Sequence, residues 1–293
     1  MNFNFQTKLG ANFNNPIFTA SGCAGSGKEL SQFFDLRELG AIVTKSIMVK
    51  PRSGRATPRM AETPSGMLNS IGLQGPGIDL FLEHDIPWLL ERGASVVVSI
   101  AGETVEDYAV LARKLRAVGG LKALEVNISC PNVENRGLVF ACDPDSASSV
   151  INSVRMMIGG DIPIIAKLSP DVTNIAQIAT SVVNAGADAV ALINTLLGMV
   201  INLETMKPHL GGKTGGLSGP AIRPGFPQSR SCSGLPELQK FTPVRQRRFL
   251  QCCTQERHFL LVLVGAQHAA HQLKTQIDKI SVGDISLAVI ANL

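Results

Sequence analysis

Leu124-Glu125-Val126-Asn127-Ile128-Ser129-Cys130-Pro131-Asn132 stands near the middle of a chain of 293 residues. Its apolar start has the make-up of a strand, and the proline at 131 cannot donate to a continued ladder. A strand therefore ends here and brings an amide (Asn127), a hydroxyl (Ser129) and a thiol (Cys130) to its tip. No other stretch of this length concentrates as much usable chemistry.

Similar runs recur on either side. Pro16 to Ala20 leads into Ser21-Gly22, Ala41 to Thr44 into Lys45-Ser46, and Val96 to Val98 into Ser99. Pro163 to Ala166 leads into Lys167, and Ala189 to Ile193 into Asn194-Thr195. Amphipathic spacers lie between them. Val105 to Val118 has apolar residues at 105, 108, 111, 112 and 115, and Ile175 to Asn184 closes at Ala185-Gly186 as a helix does. Apolar strands alternating with helices imply a parallel sheet covered on both faces. No G-x-G-x-x-G opens a helix after the first strand, which weighs against a dinucleotide fold. The pattern predicts an α/β fold, a (β/α)₈ TIM barrel of which six strands are visible. The C-terminal strand ends of such barrels build the active site. Ser21, Lys45, Ser99, Asn127, Lys167 and Asn194 should then converge on one mouth. Contact with water explains any one polar strand end equally well, but not the whole set.

The bulk composition excludes several classes. With 45% hydrophobic and 17% charged residues the chain can bury a substantial core. A net charge of +4, with few aromatics and no interleaving of these with basic residues, gives no nucleic-acid surface. No apolar run approaches the roughly 18 residues of a membrane span, and Met1 to Gln6 does not read as a signal peptide. The six cysteines form no C-x-x-C pair and no zinc-like spacing with histidine, so no metal is expected. A reducing cytoplasm is the simplest setting.

After Arg223-Pro224 the character changes. The last 69 residues hold 8 of the 12 glutamines but only 4 of the 28 glycines, so the glycine-rich βα ends of a barrel's last two strands cannot be placed there. The expectation is strands 1–6 with their helices and active-site loops in 1–224, and in 225–293 a tail replacing strands 7–8. Phe259 to Val264 reads as a strand and Ala269 to Ile280 as a short helix. The tail is either a divergent end or an out-of-frame translation. The abruptness of the change favours the second reading.

The motifs resemble class 1 dihydroorotate dehydrogenases. They are Thr19-Ala20-Ser21-Gly22, Thr44-Lys45-Ser46, Asn69-Ser70-Ile71-Gly72-Leu73-Gln74 and Asn127 to Asn132. Lys167-Leu168-Ser169-Pro170, Ile193-Asn194-Thr195 and Gly215-Gly216-Leu217-Ser218-Gly219 complete the set, which covers residues 1 to about 224. The cysteine at 130 separates the chain from the membrane-associated class 2 enzymes, which use serine, and Ile71 to Gln74 is similar to the NAD-linked 1B branch. The resemblance implies an FMN-binding barrel that oxidises dihydroorotate to orotate in pyrimidine synthesis. It implies FMN contacts at Ser21, Lys45, Ser46, Ser99, Asn127, Lys167, Ile193 and Gly219. Position 99 is commonly asparagine in the family, and Ser99 departs from that. Pyrimidine contacts are implied at Lys45, Asn69, Ser70, Ile71, Gly72, Leu73, Asn127, Asn194 and Thr195. A homodimer is implied, joined by an electron-transfer subunit carrying FAD and an iron–sulfur cluster. The remaining FMN phosphate contacts belong to the last two strands, which are not recognisable here.

The reaction removes a proton from the carbon beside a carbonyl while a hydride leaves its neighbour. Cys130 has the position of the base. A free thiol titrates near ~8.5, and nearby lysines would make thiolate available at neutral pH. A lone cysteine is more often a small buried apolar residue, and it is the surrounding motif that argues for function. Pro131 to Asp143 could form a lid over the base. Cys23 and Cys142 read as structural. Two alternatives stay open: a dihydropyrimidine dehydrogenase-like FMN module, and a product unable to hold FMN because of its C-terminal end.

Overall fold

The computed structural model describes residues 5–6, 11–14, 17–129, 140–220, 222, 259–261 and 263–264. In chain order the strands begin with β1 (Phe5–Gln6), β2 (Asn12–Phe13), β3 (Phe18–Thr19), β4 (Ile42–Val43), β5 (Met60–Thr63) and β6 (Gly66–Asn69). Next come β7 (Val96–Ile100), β8 (Leu121–Asn127), β9 (Ile164–Lys167), β10 (Ala189–Ala191), β11 (Leu196–Gly198) and β12 (Ile201–Asn202). The last are β13 (Lys207–Pro208), β14 (Gly215–Ser218), β15 (Phe259–Leu261) and β16 (Leu263–Val264). Helices are α1 (Ile78–Leu80), α2 (Ile86–Glu91), α3 (Val105–Arg116), α4 (Pro144–Ile158) and α5 (Ile175–Asn184).

The central sheet runs β15-β10-β9-β8-β7-β4, with every pair parallel. Phe18 of β3 bridges Ala41 in the same sense, so all six strands read from the sequence are present as parallel neighbours. Both faces of these strands are buried, and period-2 alternation separates the two cores. Val96, Val98, Ile100, Leu124, Val126, Ile164 and Ala166 pack in one cluster with Leu111, Leu115, Val150, Val154, Ile178 and Val182 of the helices. Phe18, Ala41, Val43, Val97, Ala123, Ile165, Ala189 and Ala191 form the second cluster. This inner face of mostly small residues, opposite a helix-covered one, is the packing of the (β/α)₈ barrel.

The three longest helices start where their sequence caps them. Thr104 and Asp107 form a capping box on α3, Asp143 accepts from Ser146 N at the head of α4, and Asn174 accepts from Gln177 N at α5. The stripe read over Val105 to Val118 becomes α3, and the reading of Ile175 to Asn184 coincides with α5. The strand expected at Phe259 to Val264 is present as β15 and β16. β15 pairs parallel with β10, and β16 pairs parallel with β3. The helix expected over Ala269 to Ile280 lies outside the described residues.

One element was not read from the sequence. β11, β14, β6 and β5 form an antiparallel sheet that begins directly after Thr195. Its register sets Gly216 opposite Asn69. Two motifs 147 residues apart are thereby joined, and Asn69 Nδ2 donates to the Gly216 carbonyl at 3.4 Å.

Candidate functional site

Alternation decides which groups face inward from the parallel strands. On β8, Ala123 faces the inner core, so Glu125 and Asn127 follow it on that face. By the same rule Ser99 follows Val97 and Lys167 follows Ile165. All four are buried: Ser99 0%, Glu125 1%, Asn127 6% and Lys167 6% exposed.

A hydrogen-bond network joins these groups to the other strand ends. Asn194 Nδ2 donates to Ser129 Oγ at 2.9 Å, and Ser129 Oγ donates to Asn127 Oδ1 at 2.9 Å. Asn127 Nδ2 donates to Ser46 Oγ at 3.0 Å. Ser46 Oγ lies 2.9 Å from Ser99 Oγ and 3.2 Å from Ser21 Oγ. Ser99 Oγ reaches Glu125 Oε1 at 2.9 Å. Backbone donors fix both amide orientations, because an N–H can only donate. Ser129 N meets Asn127 Oδ1 at 3.3 Å, and Thr195 N meets Asn194 Oδ1 at 2.8 Å. Ser21, Ser46, Ser99, Asn127 and Asn194, read from separate strand ends, are thus brought together. Glu125 Oε2 has no partner among the described residues.

The two lysines occupy different ground. Lys45 is half-buried and lines a cavity of about 510 Å³ with Arg52, Ile71, Gln74, Gly75 and Pro76. Lys167 is buried on the inner face, and among the described residues no carboxylate pairs with it. The Asn69 to Leu73 stretch is held from behind by arginine. Arg55 N donates to the Ile71 carbonyl, Ser70 N to the Arg59 carbonyl, and Arg55 Nη1 reaches Ser70 Oγ at 3.5 Å. Gly72 and Leu73 both have positive φ, +77° and +54°, which turns this stretch back toward Lys45's cavity. Ile193 is buried, and its neighbour Asn194 is set by Asn194 N donating to the Leu168 carbonyl at 3.0 Å.

The residues present fit FMN. A buried ammonium that forms no ion pair among the described residues and a band of amides and hydroxyls suit an electron-accepting ring rich in C=O and N–H groups. Backbone approach is close as well: a Cβ at Gly216 would stand 1.9 Å from Thr195 Oγ1, and one at Gly219 (φ +120°) would stand 2.5 Å from Gly66 Cα. Cys130, the sequence-read base, lies outside the described residues, as do Pro131 to Val139 of the expected lid.

Residues beyond the sequence reading support the tip of β8. Tyr108 Oη donates to the Asn127 carbonyl at 2.8 Å, and its ring meets Phe140 edge-on at 5.9 Å. Tyr108 is the only tyrosine in the chain, and the helical stripe had already placed it on the buried face. Glu125 was legible too, as a charge inside an apolar strand two residues from Asn127. Cys142 donates to the Asp171 carbonyl at 3.6 Å. Partial desolvation, with the Asp171 carboxylate, pushes its thiol above the ordinary range. Among the described residues no three His, Cys, Asp or Glu side chains are grouped to hold a metal, and no helix is long and apolar enough to cross a membrane.

Comparison with known proteins covers the same region. The profile of the family described as "Dihydroorotate dehydrogenase" matches residues 5–226. The chain is similar to proteins named "Dihydroorotate dehydrogenase B (NAD(+)), catalytic subunit" from several bacteria. That of Geotalea daltonii is 50% identical over 215 residues, 73% of this chain and 70% of the relative. That of Geotalea uraniireducens is 49% identical over 73% of this chain and 70% of the relative. That of a Geobacillus species is 47% identical over 73% and 68%.

Proposed function

The chain belongs to the dihydroorotate dehydrogenase family, and from that premise we propose that it acts as the catalytic subunit that oxidises dihydroorotate to orotate in pyrimidine biosynthesis. One observation carries this reading. Ser46, Asn127, Ser129 and Asn194, from three different strand ends, share one network on the inner face that also holds Lys167.

FMN, when bound, supplies the hydride acceptor. The chain's own groups position the reactants and move the proton. We assign Ser21, Lys45, Ser46, Ser99, Asn127, Lys167, Ile193 and Gly219 to holding FMN. The pyrimidine falls to Lys45, Asn69 to Leu73, Asn127, Asn194 and Thr195. Lys167 brings positive charge to a water-poor site, where it stabilises negative charge that develops during the reaction. The amides of Asn127 and Asn194 offer both donors and acceptors to a ring of alternating C=O and N–H groups. Cys130, as thiolate, takes the proton from the ring carbon beside the carbonyl.

We also assign this chain to the NAD-linked branch, as a homodimer joined by a subunit carrying FAD and an iron–sulfur cluster. The printed names of the relatives, which specify NAD(+) and a catalytic subunit, support that assignment. The family match ends at residue 226, beside the compositional change after Pro224. This supports reading 225–293 as an out-of-frame replacement for the last two strands. The other two reading frames of the gene test it: a glycine-rich βα ending is expected in one of them, and its absence from both overturns the idea.

The test of function is direct. Purified chain reconstituted with FMN should be yellow and should bleach when dihydroorotate is added without oxygen. Cys130→Ser should slow the bleaching markedly at neutral pH and recover in part as pH rises. Protein that stays colourless with FMN overturns the activity of this chain, and unchanged bleaching in the variant removes Cys130 as the base.

A further inference from the structure

Glu125 is the one charged group in the network and the only buried side chain among the described residues with an orphan polar atom. Its neighbours constrain what it can be doing. A hydroxyl has one hydrogen and two lone pairs. Ser46 Oγ already accepts from Asn127 Nδ2, an orientation fixed by the Ser129 backbone N–H. Ser99 Oγ donates to Glu125 Oε1, so its contact with Ser46 must be one in which Ser46 donates. That commits the single Ser46 hydrogen, and Ser21 must then donate to Ser46. Ser46 is left with one bond donated and two accepted, so its contact with FMN comes from atoms other than the hydroxyl. The whole chain runs one way, from Asn194 and Ser21 at the mouth to Glu125 within. Without an acceptor at 125, Ser99 would be free to turn its hydrogen to Ser46, and Ser46 its own to Ser21.

We propose that Glu125 is a positioning residue: by accepting from Ser99 it fixes the direction of the hydroxyl chain, so that Ser21 meets a bound ligand with lone pairs only. The half-buried Ser21 hydroxyl then accepts a hydrogen bond from an N–H edge of the ligand and does not donate to a carbonyl. The inference deepens the flavin reading of this site and rests on it for the identity of the ligand. Glu125 itself is buried beneath the network and acts through Ser99 and Ser46.

The test compares Glu125→Met, which removes the acceptor at similar length, with Glu125→Gln, which restores one. FMN affinity is measured by flavin fluorescence on the full chain, and stability by urea unfolding of the flavin-free chain. A merely structural carboxylate predicts that Met, which relieves the orphan oxygen, leaves FMN affinity unchanged. The positioning role predicts a loss of about tenfold in the Met variant, the order of one misdirected hydrogen bond, and recovery to near the parent value in the Gln variant. In flavin-free chain, Ser46→Ala combined with Glu125→Met should cost clearly less than the sum of the two single changes, although the two residues touch only through Ser99. Additive costs, or unchanged FMN affinity in a folded Met variant, overturn the proposal. If the parent chain binds no FMN, the flavin reading falls and the unfolding cycle alone decides the role of Glu125. If the Met variant does not fold, Glu125→Leu, which is equally unable to accept, takes its place in both measurements.

Discussion

Tyr108 on α3 donates its phenolic hydrogen to the carbonyl of Asn127 at 2.8 Å, tying a helix of the outer layer to the tip of β8. The bond is buried, so removing the hydroxyl leaves a carbonyl with no route to water. Tyr108→Phe should cost about 1–3 kcal/mol of stability and should loosen the tip from which Asn127 enters the site. Urea unfolding reads the first effect and FMN titration the second. A variant as stable as the parent would show that the carbonyl finds another donor.

Lys167 carries its charge on the inner face and forms no ion pair among the described residues. A buried ion outside any ion pair costs free energy that a ligand can offset. Lys167→Met should raise the urea midpoint of the flavin-free chain and weaken FMN on the order of tenfold or more, as loss of a charge-assisted hydrogen bond does. A fall in both quantities would mean that Lys167 has a structural partner.

Gly216 faces Thr195 so closely that a methyl group would fall 1.9 Å from Oγ1. Gly216→Ala must push Thr195 aside, and overpacking of this kind typically costs about 1–3 kcal/mol. Thr195 follows Asn194 and accepts its position from it through the N–H···Oδ1 bond, so the displacement should reach the pyrimidine. Orotate affinity of the FMN-loaded chain should fall more than FMN affinity itself. Equal losses would place the disturbance in the fold instead.

Asp143 caps α4, and its bonds to the Ser146 side chain and then to the Ser146 backbone hold its carboxyl below the usual range. A folded-state pKa below the unfolded one means that this stabilisation is present above the unfolded pKa and is lost as pH falls through the folded value. Asp143→Asn keeps an oxygen that accepts from Ser146 N but cannot titrate. It should therefore match the parent closely at neutral pH and lose less stability in acid. Superimposable acid limbs in urea unfolding would sink the assignment.

Much of the architecture was legible in the chain itself, because period-2 and period-3.6 patterns are local. The six strands, the stripe that became α3, the span of α5 and the strand at Phe259 to Val264 follow from apolar spacing and turn residues. The polar strand ends were legible for the same reason, since a strand's direction decides which end meets the mouth. The antiparallel sheet was not. β5, β6, β11 and β14 are three or four residues apiece, too short to show a period, and their pairing of Asn69 with Gly216 crosses 147 residues.

By itself the sequence determined which groups stand at the strand ends, and so which chemistry is available: amides, hydroxyls, two lysines and the thiol of Cys130. Tertiary structure alone decided how those groups are connected. Ser21, Ser46, Ser99 and Glu125 lie on four different strands or their ends, and only packing of parallel neighbours brings their oxygens within 3.2 Å of one another in turn. Direction along that chain is a property of the closed network, because each hydroxyl has one hydrogen to give and its neighbours settle where it goes.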